Sequence, residues 1–172
     1  MKSLKLKRIM IIILTAILIL CSFSNFVNAT MPMDKAHLYK VADCTTKLDY
    51  YSKKQGRWIR VICYLTEYEK DGTRYPAYCL IADNNGVGEV GPYDVTLTET
   101  LDREDIWRAI SNGYPYKTPE ELGVDNVLDA YMITKRAVHA LLYDVDVQSQ
   151  YRYYDEHGKY IIDRIEALTN IR

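Results

Sequence analysis

Cys79, Lys135 and His139 are the residues of this 172-residue chain whose types and spacing could do chemistry. A cysteine acts as a nucleophile through its thiolate, and a nearby cation lowers the thiol pKa and raises its reactivity. Lys135 is such a cation. His139 stands four residues on, on the neighbouring turn of the same helical surface. An imidazole beside a thiol can serve as its base. Three arrangements follow from these types. Lys135 stabilises a reactive but non-hydrolytic Cys79 thiolate; or Cys79 is the nucleophile of a thiol-dependent enzyme with His139 as base; or Lys135 reaches the rim and hydrogen-bonds backbone carbonyls while Cys79 is buried and inert. No third orienting group and no recognisable protease pattern accompanies Cys79. His37 and His157 are isolated, and no metal-ligand spacing is present, so neither a metal nor a cofactor is expected.

The elements that must position these residues are legible from periodicity. A helix capped by Asp125 and running to about Asp144 carries Leu128, Tyr131, Lys135, Val138 and Leu142 at offsets of three and four. Lys135 thus sits within an otherwise apolar stripe, where an unpartnered ammonium is costly and must pair, snorkel or lose its proton. Residues 36–48 and 57–69 read as strands from their alternating β-branched and aromatic residues. Lys70-Asp71-Gly72 is a turn, and Thr73 to Ala82 returns as a partner strand with Cys79 near its end. Asp83 to Tyr93 is turn-rich, and Val95-Thr96-Leu97 is a short strand. Asp102 caps a helix carrying Ile106, Trp107 and Ile110, which Gly113 and Pro115 end. Thr118 to Gly123 holds a short helical turn, with Pro119 at its first position. A polar, tyrosine-rich stretch covers 146–158. A last helix over 159–169 presents Ile161, Ile162, Ile165 and Leu168 on one face. Antiparallel strands first and a helical half after them predict an α+β fold.

The N-terminus reads as a secretory signal peptide over residues 1–29. Lys2, Lys5, Lys7 and Arg8 precede the apolar run Ile9 to Leu20, and Val27-Asn28-Ala29 offers small-residue cleavage after Ala29. The apolar run is shorter than the roughly 20 residues a membrane span needs; an uncleaved anchor is the alternative. Residues 30–172 then form one domain without a membrane span, secreted or at the cell surface. Of 22 basic and 23 acidic side chains, four basic ones lie in the leader, so the remainder is net acidic and repels phosphate backbones. No nucleic-acid partner is expected. Cys44, Cys63 and Cys79 remain, and an odd number leaves at least one thiol outside any intramolecular disulfide. Cys44 and Cys63 also read as small buried apolar residues.

Three segments carry a resemblance: Tyr78-Cys79-Leu80, Asn112-Gly113-Tyr114-Pro115 and Thr134-Lys135-Arg136-Ala137. In order and spacing they resemble the thioester domain of Gram-positive surface adhesins, over roughly residues 60–172. In that family a Cys after an aromatic residue is joined to the Gln of a Thr-Gln-x-Ala motif, and the thioester reacts with amines on a host surface. The resemblance places Cys79 and Lys135 at the two thioester positions, with Thr134 and Ala137 as the motif's flanks. His139 stands where the family has an aromatic residue, often Trp. Lysine has no acyl carbon, and Gln55, Gln148 and Gln150 are outside the motif. The resemblance therefore implies a cell-wall or secreted adhesin-like domain. It would have lost the thioester, would not be an enzyme, and would bind a host or extracellular-matrix protein without a covalent step. A structural or assembly domain of a larger surface protein is the further alternative, and the chain is then a fragment of a longer, stalked protein.

Overall fold

The computed structural model describes residues 36–44, 47–81, 91–95, 100–154 and 158–171. The expected signal peptide, its cleavage site after Ala29, most of the turn-rich 83–93 stretch and His157 lie outside the described residues. Among the described residues, no helix is long and apolar enough to cross a membrane.

Two antiparallel sheets form from the strands β1 (Ala36–Asp43), β2 (Leu48–Ser52), β3 (Arg57–Arg60), β4 (Tyr64–Lys70), β5 (Thr73–Pro76), β6 (Tyr93–Val95) and β7 (Tyr151–Tyr153). One sheet has the order β5-β4-β1-β6, the other β3-β2-β7. The two long strands expected over 36–48 and 57–69 are each broken, and their halves belong to different sheets. The break is physical: Val61 and Cys63 are buried, and the chain turns a corner there to feed both into the core. The backbone between stays paired, Val61 N–H donating to Leu48 O at 2.8 Å and Cys44 N–H to Cys63 O at 2.9 Å. The hairpin between β4 and β5 matches expectation. Lys70 pairs with Thr73, and Asp71 and Gly72 both hold positive φ, 51° and 76°. A two-residue hairpin turn of that kind matches the right-handed strand twist and favours Asp-Gly. The return strand is shorter than expected. β5 is an edge strand that ends on Pro76, which cannot donate to a ladder. Cys79 therefore lies beyond the strand, in the extended segment 77–81.

The helices are α1 (Glu104–Ser111), α2 (Pro119–Leu122), α3 (Val127–Tyr143), α4 (Val147–Gln150) and α5 (Gly158–Thr169). Thr118 and Glu121 form a reciprocal capping box on α2, and Gly123 closes it at φ 66°. Two caps differ from expectation. Arg103, not Asp102, is the N-cap of α1. Asn126, not Asp125, caps α3, its side chain accepting from Asp129 N–H at 3.0 Å. Within the tyrosine-rich stretch, residues 147–153 form α4 and β7, and β7 pairs with β2.

The core gathers Leu48, Tyr50, Val61, Cys63 and Leu65 from the strands with Ala130 to Ala137 of α3 and Ile161, Ile162, Ile165 and Leu168 of α5. Every residue from Ala130 to Ala140 is buried. α3 is therefore a central helix enclosed on all sides rather than an amphipathic one with a single inner stripe.

Candidate functional site

Segment 77–81 runs along α3, and one row of helix side chains holds it. Tyr131, Lys135, His139 and Tyr143 recur every fourth residue and form a ridge on one surface. The Tyr131 hydroxyl donates to Ala77 O at 2.6 Å, His139 Nε2 donates to Cys79 O at 2.6 Å, and the Tyr143 hydroxyl donates to Leu80 O at 2.9 Å. Lys135 is the remaining member of the row, between the residues that hold Ala77 and Cys79. It is 3% exposed, with its ammonium 5.8 Å from the centre of the Tyr131 ring. Burial lowers its pKa; the Cys63 thiolate opposes that shift, Arg136 adds to it, and Cys79 and Cys44 oppose it. Tyr78 stacks on Tyr131 with ring centres 4.9 Å apart and donates its hydroxyl to Tyr114 O.

The Gly-Tyr-Pro turn is fastened to the same helix by Thr134. Its Oγ1 accepts from Tyr114 N–H at 2.9 Å and donates to Ala130 O at 2.8 Å. Gly113 has no side chain because none fits. A Cβ there would lie 2.5 Å from Thr134 Oγ1 and 2.6 Å from its Cγ2. Ala137, fully buried, packs in the core one turn along. The three segments singled out in the sequence thus meet: the turn after α1, the 77–81 segment and the middle of α3.

His139 is 1% exposed. Arg136 Nη1 lies 3.1 Å from its Nδ1. A guanidinium can only donate, so Nδ1 accepts and the ring proton sits on Nε2, which serves the Cys79 carbonyl. Burial first, and the Arg136 charge next, push its pKa down to about 3, so the ring is neutral near pH 7. Both ring nitrogens are engaged with groups other than the Cys79 thiol. That thiol is half-buried and donates to Ile81 O at 3.6 Å. The imidazole thus positions the backbone of Cys79 and is not placed to take its proton.

Each glutamine is engaged away from Cys79. Gln55 accepts from Arg57, Gln148 bonds Asp163 and Glu166, and Gln150 bridges Asp146 N–H and Tyr51 O. Beside the site, a cavity of about 350 Å³ is bordered by Tyr50, Tyr51, Arg136, His139, Tyr143 and Tyr151 among others. Arg136, 3% exposed, has its Nε buried without a hydrogen-bond partner among the described residues. No group of residues suited to a metal ion is found among the described residues.

Sequence reasoning missed the roles of Tyr131, Tyr143 and Arg136. The signal was present for the first two, since they stand four before Lys135 and four after His139. Arg136 gave none, because burial of the whole circumference of α3 cannot be read from a stripe.

The sequence profile of the thioester domain family matches residues 76–170, which is more than half of the chain. No curated protein matches the chain in sequence. Among solved structures it is similar to the Bacillus anthracis TIE protein, with a TM-score of 0.60 at 20% identity over 80% of this chain and 24% of that one. The chain thus spans about a quarter of that protein's length, and the likeness is one of fold. The matched region takes in Cys79, the Gly-Tyr-Pro turn and the Thr134 to Ala137 segment, and on that match the chain belongs to the thioester domain family.

Proposed function

We propose that this is a thioester-type domain without its thioester, a secreted or cell-surface module that engages a host or extracellular-matrix protein non-covalently and is not an enzyme. One observation carries the reading. The buried helix position beside the Cys79 segment holds Lys135, whose ammonium offers no acyl carbon to a sulfur. Two others support it: the glutamines are bonded elsewhere, and the cavity next to His139 offers a tyrosine-rich concave surface of the sort that takes ligands. The His139 geometry weighs against a Cys–His hydrolase, because a base must reach the proton it removes.

The test is intact-mass measurement of the purified chain with and without methylamine. The expected spectrum shows neither loss of one ammonia nor a methylamine adduct. An ammonia loss that disappears in a Cys79→Ala variant would overturn the reading.

A further inference from the structure

Cys44 and Cys63 form a second sulfur site, separate from the Cys79 segment. The β1–β4 ladder pairs Asp43 with Tyr64, so the next opposing residues are Cys44 and Cys63, and Cys44 N–H donates to Cys63 O at 2.9 Å. Directly opposed, hydrogen-bonded residues of antiparallel strands have Cα atoms about 5.5 Å apart, within the roughly 4.4–6.8 Å that a disulfide spans. Both are free cysteines. Cys63 is 4% exposed and Cys44 is half-buried, so the pair is reached from the Cys44 side. Lys135 and Arg136, both buried on α3, face the pair. The neighbouring Cys44 first, and these two cations against the cost of burial, push the Cys63 thiol down to about 6, while the Cys44 thiol is pushed up.

We propose that Cys44 and Cys63 are the redox pair of this chain, closing to a disulfide that leaves Cys79 as the thiol outside it. The oxidant is a small-molecule disulfide. Its S–S bond is exchanged at the more accessible Cys44, which gives up its proton and releases one thiol. The Cys63 thiolate then attacks the Cys44 sulfur and displaces the second. One S–S bond is broken and one formed; the two electrons leave with the two released thiols, one of which takes the Cys44 proton and the other a proton from water. Closure removes the thiolate charge that faces Lys135 and Arg136. The inference stands apart from the proposed function, which rests on Cys79 and Lys135.

The full chain, reduced, is equilibrated in glutathione mixtures of rising oxidised fraction. Remaining thiols are then alkylated and the peptides mapped by mass. The expected product is a Cys44–Cys63 linked peptide, two hydrogens lighter than the separate peptides, with Cys79 alkylated. Alkylation of both Cys44 and Cys63 in the most oxidised mixture, or a link from either of them to Cys79, would overturn the proposal. A Cys79→Ser variant is expected to keep the same link, and loss of the link there counts against it. Thermal unfolding supplies a second readout: reductant lowers the midpoint of the parent and leaves a Cys44→Ser variant unmoved. A parent midpoint indifferent to reductant refutes the pair.

Discussion

At the scale of single residues, the site rests on ionisable groups held where water cannot reach them. His139 ties acid stability to the Cys79 segment. Its folded-state pKa of about 3 lies below the ordinary 6.5. Above about 6.5 the ring is neutral in both states. As pH falls below that value the unfolded chain takes up a proton that the folded chain refuses, until about pH 3. Stability is therefore expected to fall by about 1.4 kcal/mol per pH unit across that window from this group. Asp49 adds to acid lability only lower down. Burial raises its pKa, but Tyr154, Arg60 and Arg152 outweigh that and leave it below 3.8. Denaturant unfolding of a His139→Gln variant between pH 4.5 and 6.5 is expected to show a flatter slope than the parent; an unchanged slope excludes His139 as the source. Lys135→Gln puts a carboxamide where the resemblance places the family's Gln and removes a buried cation. Its expected outcome is a Cys79-dependent ammonia loss and methylamine sensitivity, measured by intact mass. If the variant folds and shows neither, the side chain at 135 does not reach the Cys79 sulfur.

At the scale of elements, α3 works as a spine that reads the neighbouring backbone by touch. Tyr131, His139 and Tyr143 each satisfy one carbonyl of segment 77–81, whose backbone is otherwise tied to β4 through Ala77 N–H donating to Thr66 O at 2.8 Å. Buried carbonyls need such partners. Thr134 does the same for the turn after α1. The close approach of that turn depends on Gly113. Gly113→Ala forces a methyl group against Thr134 and is expected to cost about 1–3 kcal/mol by overpacking. Chemical denaturation of Gly113→Ala, Thr134→Ala and the double variant tests this. Thr134→Ala removes both clashing atoms, Oγ1 and Cγ2, so the double variant is expected to be more stable than the sum of the single changes. Simple additivity would show that the two residues do not meet.

At the scale of the whole molecule, the family match and the folding unit do not coincide. The match begins at residue 76, yet β2 brings Leu48 and Tyr50, and the β3–β4 corner brings Val61 and Leu65, into the core shared with α3 and α5. β2 also pairs with β7, near the other end of the chain. Burial of Leu48, Val61 and Leu65 is worth about 1.5–3 kcal/mol each. Together they rival the roughly 5–15 kcal/mol stability of a typical domain. A fragment limited to residues 76–170 is therefore expected to lack a cooperative thermal transition, read by near-ultraviolet circular dichroism, while residues 33–172 show one. A sharp transition in the shorter fragment would refute this account of the core.

Local chemistry in the sequence determined much of this protein. The Asp71-Gly72 turn, the Thr118 capping box, the stops at Gly113 and Gly123, and the apolar face of α5 are each set by residues a few positions apart, and each is found in the structure. So is the order of antiparallel strands before helices, and so are the three segments that mark the thioester domain family. Tertiary structure decided what depends on long-range contact. The alternation across 57–69 could not show that the strand breaks at Val61 to Cys63, because a buried corner and a continuous strand both place apolar residues there. Nor could the stripe on α3 reveal a helix buried on every side, since Thr134, Lys135, Arg136 and His139 are polar and became interior only through partners far away in the chain. His139 reads from sequence as a possible base for Cys79. Only the fold, by setting Arg136 on one ring nitrogen and the Cys79 carbonyl on the other, made it a clamp.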